Sequence, residues 1–297
     1  ADIQSAYSAI NMKLPKLERE DSIIDIDPFT VFGLFNKGIT NANRIAILES
    51  FATVFNIKSK VPNNFDGIPV LNNLKATYYG FKDDRQAADI DNLWGLYESA
   101  INLAGKDDAA NREIFTKWYD TVHDQLGIRW NITMGLYWIR PYEFINLDSI
   151  NRWFIVDPDN MPVDFVNSVK KKLNKVPYAA EYLAIKDACL HALKDGNYEY
   201  KNYPELSYRA WIVSKQVNQE KAEVKGKKSS KAAFLRWFAP LIQALRDLGG
   251  SGTPAEARAK IIENEQLSED EINQTRGKNN VNKFENEVAF ARSYLVN

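Results

Sequence analysis

The chain has 297 residues but only one cysteine, Cys189, and two histidines, His123 and His191. A single thiol excludes an internal disulfide framework and a zinc site of cysteine type, and it fits a reducing cytoplasm. Each histidine falls within a predicted helix, where an ordinary surface or half-buried imidazole is the simpler reading. Cys189 and His191 stand two apart on one helix, so they do not face each other as a nucleophile and its base would. Long apolar runs are also missing: no stretch approaches the roughly eighteen residues of a membrane span. Ala1, Asp2, Ile3 and Gln4 have neither the basic start nor the apolar run of a signal peptide.

Catalytic motifs are equally scarce. Gly226, Lys227, Lys228 and Ser229 imitate the end of a phosphate loop, but the upstream glycine and a preceding strand are absent, so no nucleoside-triphosphate site is expected. There is no G-x-S-x-G and no H-E-x-x-H. The acidic pairs Asp83 with Asp84, Asp89 with Asp91 and Asp157 with Asp159 read as helix caps and turns. A metal-dependent nuclease needs carboxylates and a lysine converging on one phosphate; Asp66 with Lys75 lacks the second acid. The expectation is a protein without catalytic residues, metal or cofactor.

What the chain does have is aromatic mass: seven tryptophans, 14 tyrosines and 15 phenylalanines, enough to bury a sizeable core in more than one domain. Net charge is only −1, yet it is unevenly spread. Residues 1–214 hold 24 Lys and Arg against 28 Asp and Glu, whereas residues 215–297 hold 14 against 11. A mildly basic tail on an acidic body hints at nucleic-acid contact.

Periodicity makes the body mostly helical. Thr40 caps a predicted helix with Ile45, Leu48, Phe51, Ala52 and Phe55 on one face. Asp89 and Asn111 open two more, and residues 165–173, 179–193 and 205–213 read as helices. Residues 76–81 suit a short strand or a turn filled by Tyr78 and Tyr79. The dense segment from Trp130 to Ile155 suggests a small β-hairpin, with strands at 130–139 and 144–147 joined at Arg140 and Pro141, before a short helix capped by Asp148 or Ser149. Three stretches follow: a helical aromatic-rich domain over 1–214, a lysine-rich linker or charged helix end over 215–231, and a small helical domain over 232–297. In the last, Phe234, Trp237, Phe238, Leu241, Leu245 and Leu248 make an amphipathic helix stopped at Gly249 and Gly250. Capping boxes start at Thr253 and Ser268. Asn282 opens the third long helix, with Phe284, Val288, Ala291 and Leu295 inward. Three short helices with tight turns describe the helix-turn-helix class. The fold class expected is therefore mainly α, with a small β-hairpin element in the first domain and a three-helix, winged-helix-like second domain.

Two sets of residues are candidates for binding. In the helix-turn-helix class the third helix enters the major groove and puts its N-terminal residues on bases or phosphates. Here that selects Lys278, Asn280, Lys283 and Asn286, with Arg276 and Arg292 beside them. Lys227 and Lys228, with Lys221 and Lys225, would add phosphate contacts. Separately, Trp130, Tyr137, Trp138, Arg140, Tyr142 and Trp153 interleave aromatic faces with cations, as a base-stacking pocket requires; the alternative is a core sheet with arginines at its rim.

Four blocks carry a resemblance: residues 27–39 (DPFTVFGLFNKGI) followed by Asn43 and Arg44, residues 65–73 (FDGIPVLNN), residues 89–94 (DIDNLW), and residues 128–141 (IRWNITMGLYWIRP) leading to 146–149 (NLDS). Over about residues 14–212 they resemble the region preceding the motor domain in McrB-type 5-methylcytosine-specific restriction proteins. The tail, about 235–296, resembles the N-terminal winged-helix domain of Mrr-type restriction proteins through residues 249–254 (GGSGTP), Leu267 and Ser268, Gly277 and Lys278, and residues 284–295 (FENEVAFARSYL). It stops where that family continues into the two-stranded wing. The resemblance implies a cytoplasmic DNA-recognition fragment acting on double-stranded DNA, methylated or not, whose motor and nuclease lie elsewhere. The alternative it leaves open is an assembly module that docks on such a motor or nuclease subunit.

Overall fold

The computed structural model describes residues 2–19, 25–72, 77–196, 198–228, 233–276 and 281–296; of 220–228, 233, 276, 294 and 296 it describes the backbone alone. The chain forms two compact units, Ala1–Gln216 and Val217–Asn297. It is a mainly α protein.

In the first unit the helices are α1 (Asp2–Ala9), α2 (Pro28–Gly33), α3 (Asn41–Val54), α4 (Asp89–Gly105), α5 (Ala109–His123), α6 (Asn131–Ile139), α7 (Ser149–Ile155), α8 (Val163–Val169), α9 (Ala179–Asp195) and the first half of α10 (Tyr203–Lys228). Short polar side chains start several of them. Asp27, Thr40, Asp108 and Asp148 each accept the backbone N–H three residues on, satisfying a donor that the helix itself leaves unpaired. α4 packs on α5, α5 on α9, and α2 on both α4 and α6. The apolar spacing makes this possible: Leu93, Leu96, Ala100 and Leu103 line one face of α4, and Phe115, Tyr119 and Val122 line one face of α5. Each fully buried large apolar side chain contributes about 1.5–3 kcal/mol. Buried tyrosines also find acceptors for their hydroxyls, Tyr119 on the Pro177 carbonyl, Tyr182 on that of Ile145 and Tyr203 on that of Lys186. α1 and α3 close a smaller core of Tyr7, Leu17, Leu34, Ile47 and Phe51.

The expected hairpin over 130–147 does not form. Residues 131–139 are helix α6, and Phe144, Ile145, Asn146 and Leu147 run as a buried connection without strand partners. The reason is burial on every side: Ile132, Thr133, Met134, Gly135, Leu136, Tyr137 and Ile139 are all inside. Such a segment shows neither the period of a one-sided helix nor that of a strand. Gly135 is needed because α2 lies so close; a Cβ there would sit 2.6 Å from the Phe29 ring. Residues 77–81 are likewise no strand, but a turn filled by buried Tyr78 and Tyr79. The lysine-rich segment continues α10 as helix up to Lys228.

The second unit holds α11 (Phe238–Asp247), α12 (Pro254–Glu265), the single turn α13 (Glu269–Ile272), strands β1 (Thr275–Arg276) and β2 (Val281–Asn282), and α14 (Lys283–Val296). Both expected capping boxes are present, Thr253 with Glu256 and Ser268 with Glu271. The two strands pair antiparallel, Thr275 opposite Asn282. The only sheet among the described residues thus lies in the second unit and not in the first. Trp237, Leu241, Ala257, Ile261, Phe284 and Val288 share one interior, with Phe238 at its edge. Leu295 does not join them: it is 42% exposed, one turn beyond the last buried position, Ala291.

Candidate nucleic-acid interface

The exposed side of α14 follows from what the helix buries. Phe284, Glu287, Val288 and Ala291 face inward. The opposite side carries Asn286, Ala289, Phe290 and Ser293. Asn282 fixes the start of the helix: its Oδ1 accepts the Glu285 N–H at 2.9 Å and its Nδ2 donates to the Ile272 carbonyl at 2.7 Å. Lys283 is held to the segment before β1, its Nζ donating to Gln274 Oε1 at 3.1 Å. Glu285 lies 3.6 Å from Arg258. Of the sequence candidates, Lys283 and Asn286 therefore come together within one turn, while Arg292 is exposed roughly 120° round the axis. Lys278 and Asn280 lie outside the described residues, as do the side chains of Arg276, Lys221, Lys225, Lys227 and Lys228.

Beneath this face Glu287 is 1% exposed. Its Oε2 accepts Trp237 Nε1 at 2.9 Å and lies 3.2 Å from Arg236. A buried carboxylate needs such donors to remain inside.

The six residues expected to form a stacking pocket do not assemble. Tyr137 is in the core, where burial pushes its hydroxyl up to about 12. Trp138 is half-buried, with Nε1 on the Pro69 carbonyl at 3.0 Å. Arg140 is exposed, Tyr142 is 64% exposed, and Trp153 rests against Phe154. They scatter because residues 131–139 are helical, so neighbours that a strand would alternate across one sheet are spread around an axis.

Trp130 lines a cavity. The first unit has a cleft of about 540 Å³ between the 65–70 loop, the ends of α6 and α7, and α10. The Arg152 guanidinium lies 3.6 Å from the centre of the Trp130 ring, and Arg44 lies 4.6 Å from that of Phe65. At the rim Lys215 Nζ is 3.6 Å from the centre of the Trp211 ring. Burial pulls both guanidiniums below their usual range. The walls are held by side-chain hydrogen bonds. Asp148 caps α7 through the Asn151 N–H, Asn151 Nδ2 donates to Ser207 Oγ at 3.2 Å, and Ser207 Oγ donates to the Gly67 carbonyl at 2.8 Å. Sequence reasoning missed Arg44, Phe65 and Trp211 here; the first two lie in blocks singled out above and Trp211 in an expected helix, but nothing showed that the chain folds them onto one cavity.

Gly67 is the tightest point. Its φ is +77°, and a Cβ on it would meet the Tyr208 Cα at 2.6 Å. We expect Gly67→Ala to cost about 2 kcal/mol through left-handed strain and overpacking, read as an earlier urea midpoint. An unchanged midpoint would mean that the loop does not press on α10.

The histidines have structural partners. His123 stacks on Tyr178 at 3.9 Å, with its ring nitrogens at Asp124 and the Val176 carbonyl; exposed His191 pairs with Asp195. Burial pushes the Cys189 thiol up, away from reactivity. Among the described residues no three His, Cys, Asp or Glu side chains gather as a metal site, and no helix is long and apolar enough to cross a membrane.

No curated protein and no solved structure matches the chain. Residues 234–297, which fall within the second compact unit, match the Mrr N-terminal domain. Residues 8–213 match the family described as a domain of unknown function, DUF8425, and with more than half its length inside that match the chain belongs to this family.

Proposed function

We propose that the chain is a DNA-recognition part of a bacterial restriction system, and that its second unit contacts double-stranded DNA. One observation carries this: the Mrr N-terminal match coincides with a separately cored three-helix unit whose third helix presents Lys283, Asn286 and Arg292. In the helix-turn-helix class that helix is the one laid in the major groove. The McrB-type resemblance of residues 14–212 suggests modified cytosine as the feature read, with nucleotide hydrolysis and cleavage supplied by other parts of a cytoplasmic system. On this reading the chain needs no cofactor and catalyses nothing itself.

The test is fluorescence anisotropy with short plain and cytosine-methylated duplexes over a range of salt. We expect binding at low salt that falls steeply as salt rises, because cations released from phosphates set the slope. Replacing Lys283 and Arg292 together by alanine should lower that slope by about one unit for each phosphate the variant no longer reaches. Absence of binding to either duplex at low salt would end this reading.

A second reading rests on Phe290, which is 50% exposed on the outward side of α14, with Ile242 39% exposed on α11. Such side chains suit a protein partner, a motor or nuclease subunit, better than a phosphate backbone. Phe290→Ser would then abolish assembly.

A further inference from the structure

We propose that the cleft of the first unit binds a nucleotide, its phosphate met by Arg44 and Arg152 and its base by the indole and amide groups of the walls. This site is separate from the duplex contact assigned to the second unit and does not depend on it.

The charge pattern points first. Arg19, Arg85 and Arg112 of the same unit are all neutralised by carboxylates, at Asp83 and Asp84, at Glu18, and at Asp107 and Asp187. Arg44 and Arg152 are not. Among the described residues neither has a carboxylate within ion-pair distance; each lies against an aromatic ring and donates one hydrogen bond to a backbone carbonyl, Arg44 to Lys37 and Arg152 to Leu147. A ring and a carbonyl orient a guanidinium without cancelling its charge. Arg44 is 4% exposed, and its Nε is buried with no hydrogen-bond partner. A buried cation left so poorly compensated is costly unless an anion completes it.

The rest of the wall narrows the anion. Trp130 and Trp211 are part of the lining, their rings also met by Arg152 and Lys215, and Asn131 lies beside them. Aromatic faces with side-chain amides suit a planar base, which stacks and is read along its edge. A bare phosphate would use none of them. Two carboxylates also line the cleft. Asp66 is exposed, where water and salt screen it, and Asp148 commits Oδ1 to the α7 cap. An acidic oxygen at a cleft wall can accept an exocyclic amino group. The volume, about 540 Å³, accommodates a ligand of nucleotide size. The source is either a free nucleotide or an unpaired nucleotide of a strand, and the chemistry recognised is the same.

The experiment is calorimetric titration of the full chain with each deoxynucleoside 5′-monophosphate, with a short single-stranded oligonucleotide, and with inorganic phosphate. We expect at least one nucleotide probe to bind more tightly than phosphate. Arg152→Gln should weaken that binding about tenfold or more, as removal of a charge-assisted hydrogen bond does, with an unchanged thermal midpoint. Arg152→Lys, which keeps charge but not the planar fork, should weaken it less. Should Arg152→Gln melt early, Trp211→Leu at the rim serves in its place. Mononucleotide binding identifies a free-nucleotide site; oligonucleotide binding alone identifies an unpaired nucleotide of a strand. The Lys283 and Arg292 double variant should retain either, since duplex contact is a different property. Three results would overturn the proposal: no binding of any nucleotide probe, binding equal to that of phosphate, or binding indifferent to Arg152 and Trp211.

Discussion

Replacing Asp27 by asparagine should flatten the dependence of stability on pH between about pH 4 and pH 7 by about 3 kcal/mol. Asp27 is 0% exposed and caps α2, its Oδ1 accepting the Thr30 N–H at 3.0 Å, while Oδ2 is buried with no hydrogen-bond partner. Burial pushes this carboxyl up from 3.8 to about 6, against the opposing pull of its hydrogen-bond donors. The sign follows directly. Below about pH 4 the acid is protonated in both folded and unfolded chains. Between that value and about 6 the unfolded chain releases its proton while the folded chain holds it, so stability falls as pH rises. Above about 6 the fall is complete. Asparagine keeps the cap and cannot ionise. Glu18 works in the other direction: burial is outweighed by the Arg85 guanidinium and the N–H groups of Lys82 and Arg19, which hold it at about 2, so its contribution disappears only in acid. Urea unfolding of both proteins at several pH values isolates Asp27, because Glu18 is common to the two. Parallel curves would show that the native carboxyl titrates normally.

Trp237→Ala should destabilise the second unit by about 3–5 kcal/mol and abolish duplex binding, although Trp237 is no part of the exposed face of α14. The indole is 5% exposed and meets Phe284 edge-on at 5.1 Å. Its removal leaves a cavity and takes a donor from buried Glu287, and an under-paired buried carboxylate adds to the destabilisation. A three-helix unit of this size is stable by only a few kcal/mol. Trp237→Phe separates the two effects: it keeps most of the packing and removes the donor, for about 1–3 kcal/mol. Circular dichroism in urea together with duplex anisotropy measures both consequences. A stable Trp237→Ala protein that still bound DNA would show that α14 does not rest on this core.

The second unit was the more legible part. Its boundaries are set by local chemistry: Thr253 with Glu256, Ser268 with Glu271, and the glycine pair after α11 each act within four residues. Such signals survive in a sequence without knowledge of the fold. Leu295, expected inside, continues the apolar spacing of α14 one turn past the last buried position, Ala291.

In the first unit the sequence determined that α4 and α5 are helices and that Thr40 and Asp148 cap α3 and α7, because such signals are local; on α3 it missed the buried face, since Arg44, Ile47, Ser50 and Phe51 lie inside while Phe55 is exposed. It also established the uneven charge and the scarcity of catalytic side chains. Tertiary structure decided the rest. Residues 131–139 are buried on nearly every side, with α2 packed closely at Gly135, so their sequence carries no one-sided period. Arg44, Phe65, Trp130, Arg152 and Trp211 became neighbours only because Ser207 and Gly67 pin a loop to α10 from 140 positions away. Pairings of that separation have no periodicity and no local donor or acceptor pattern, so nothing in the order of residues announces them.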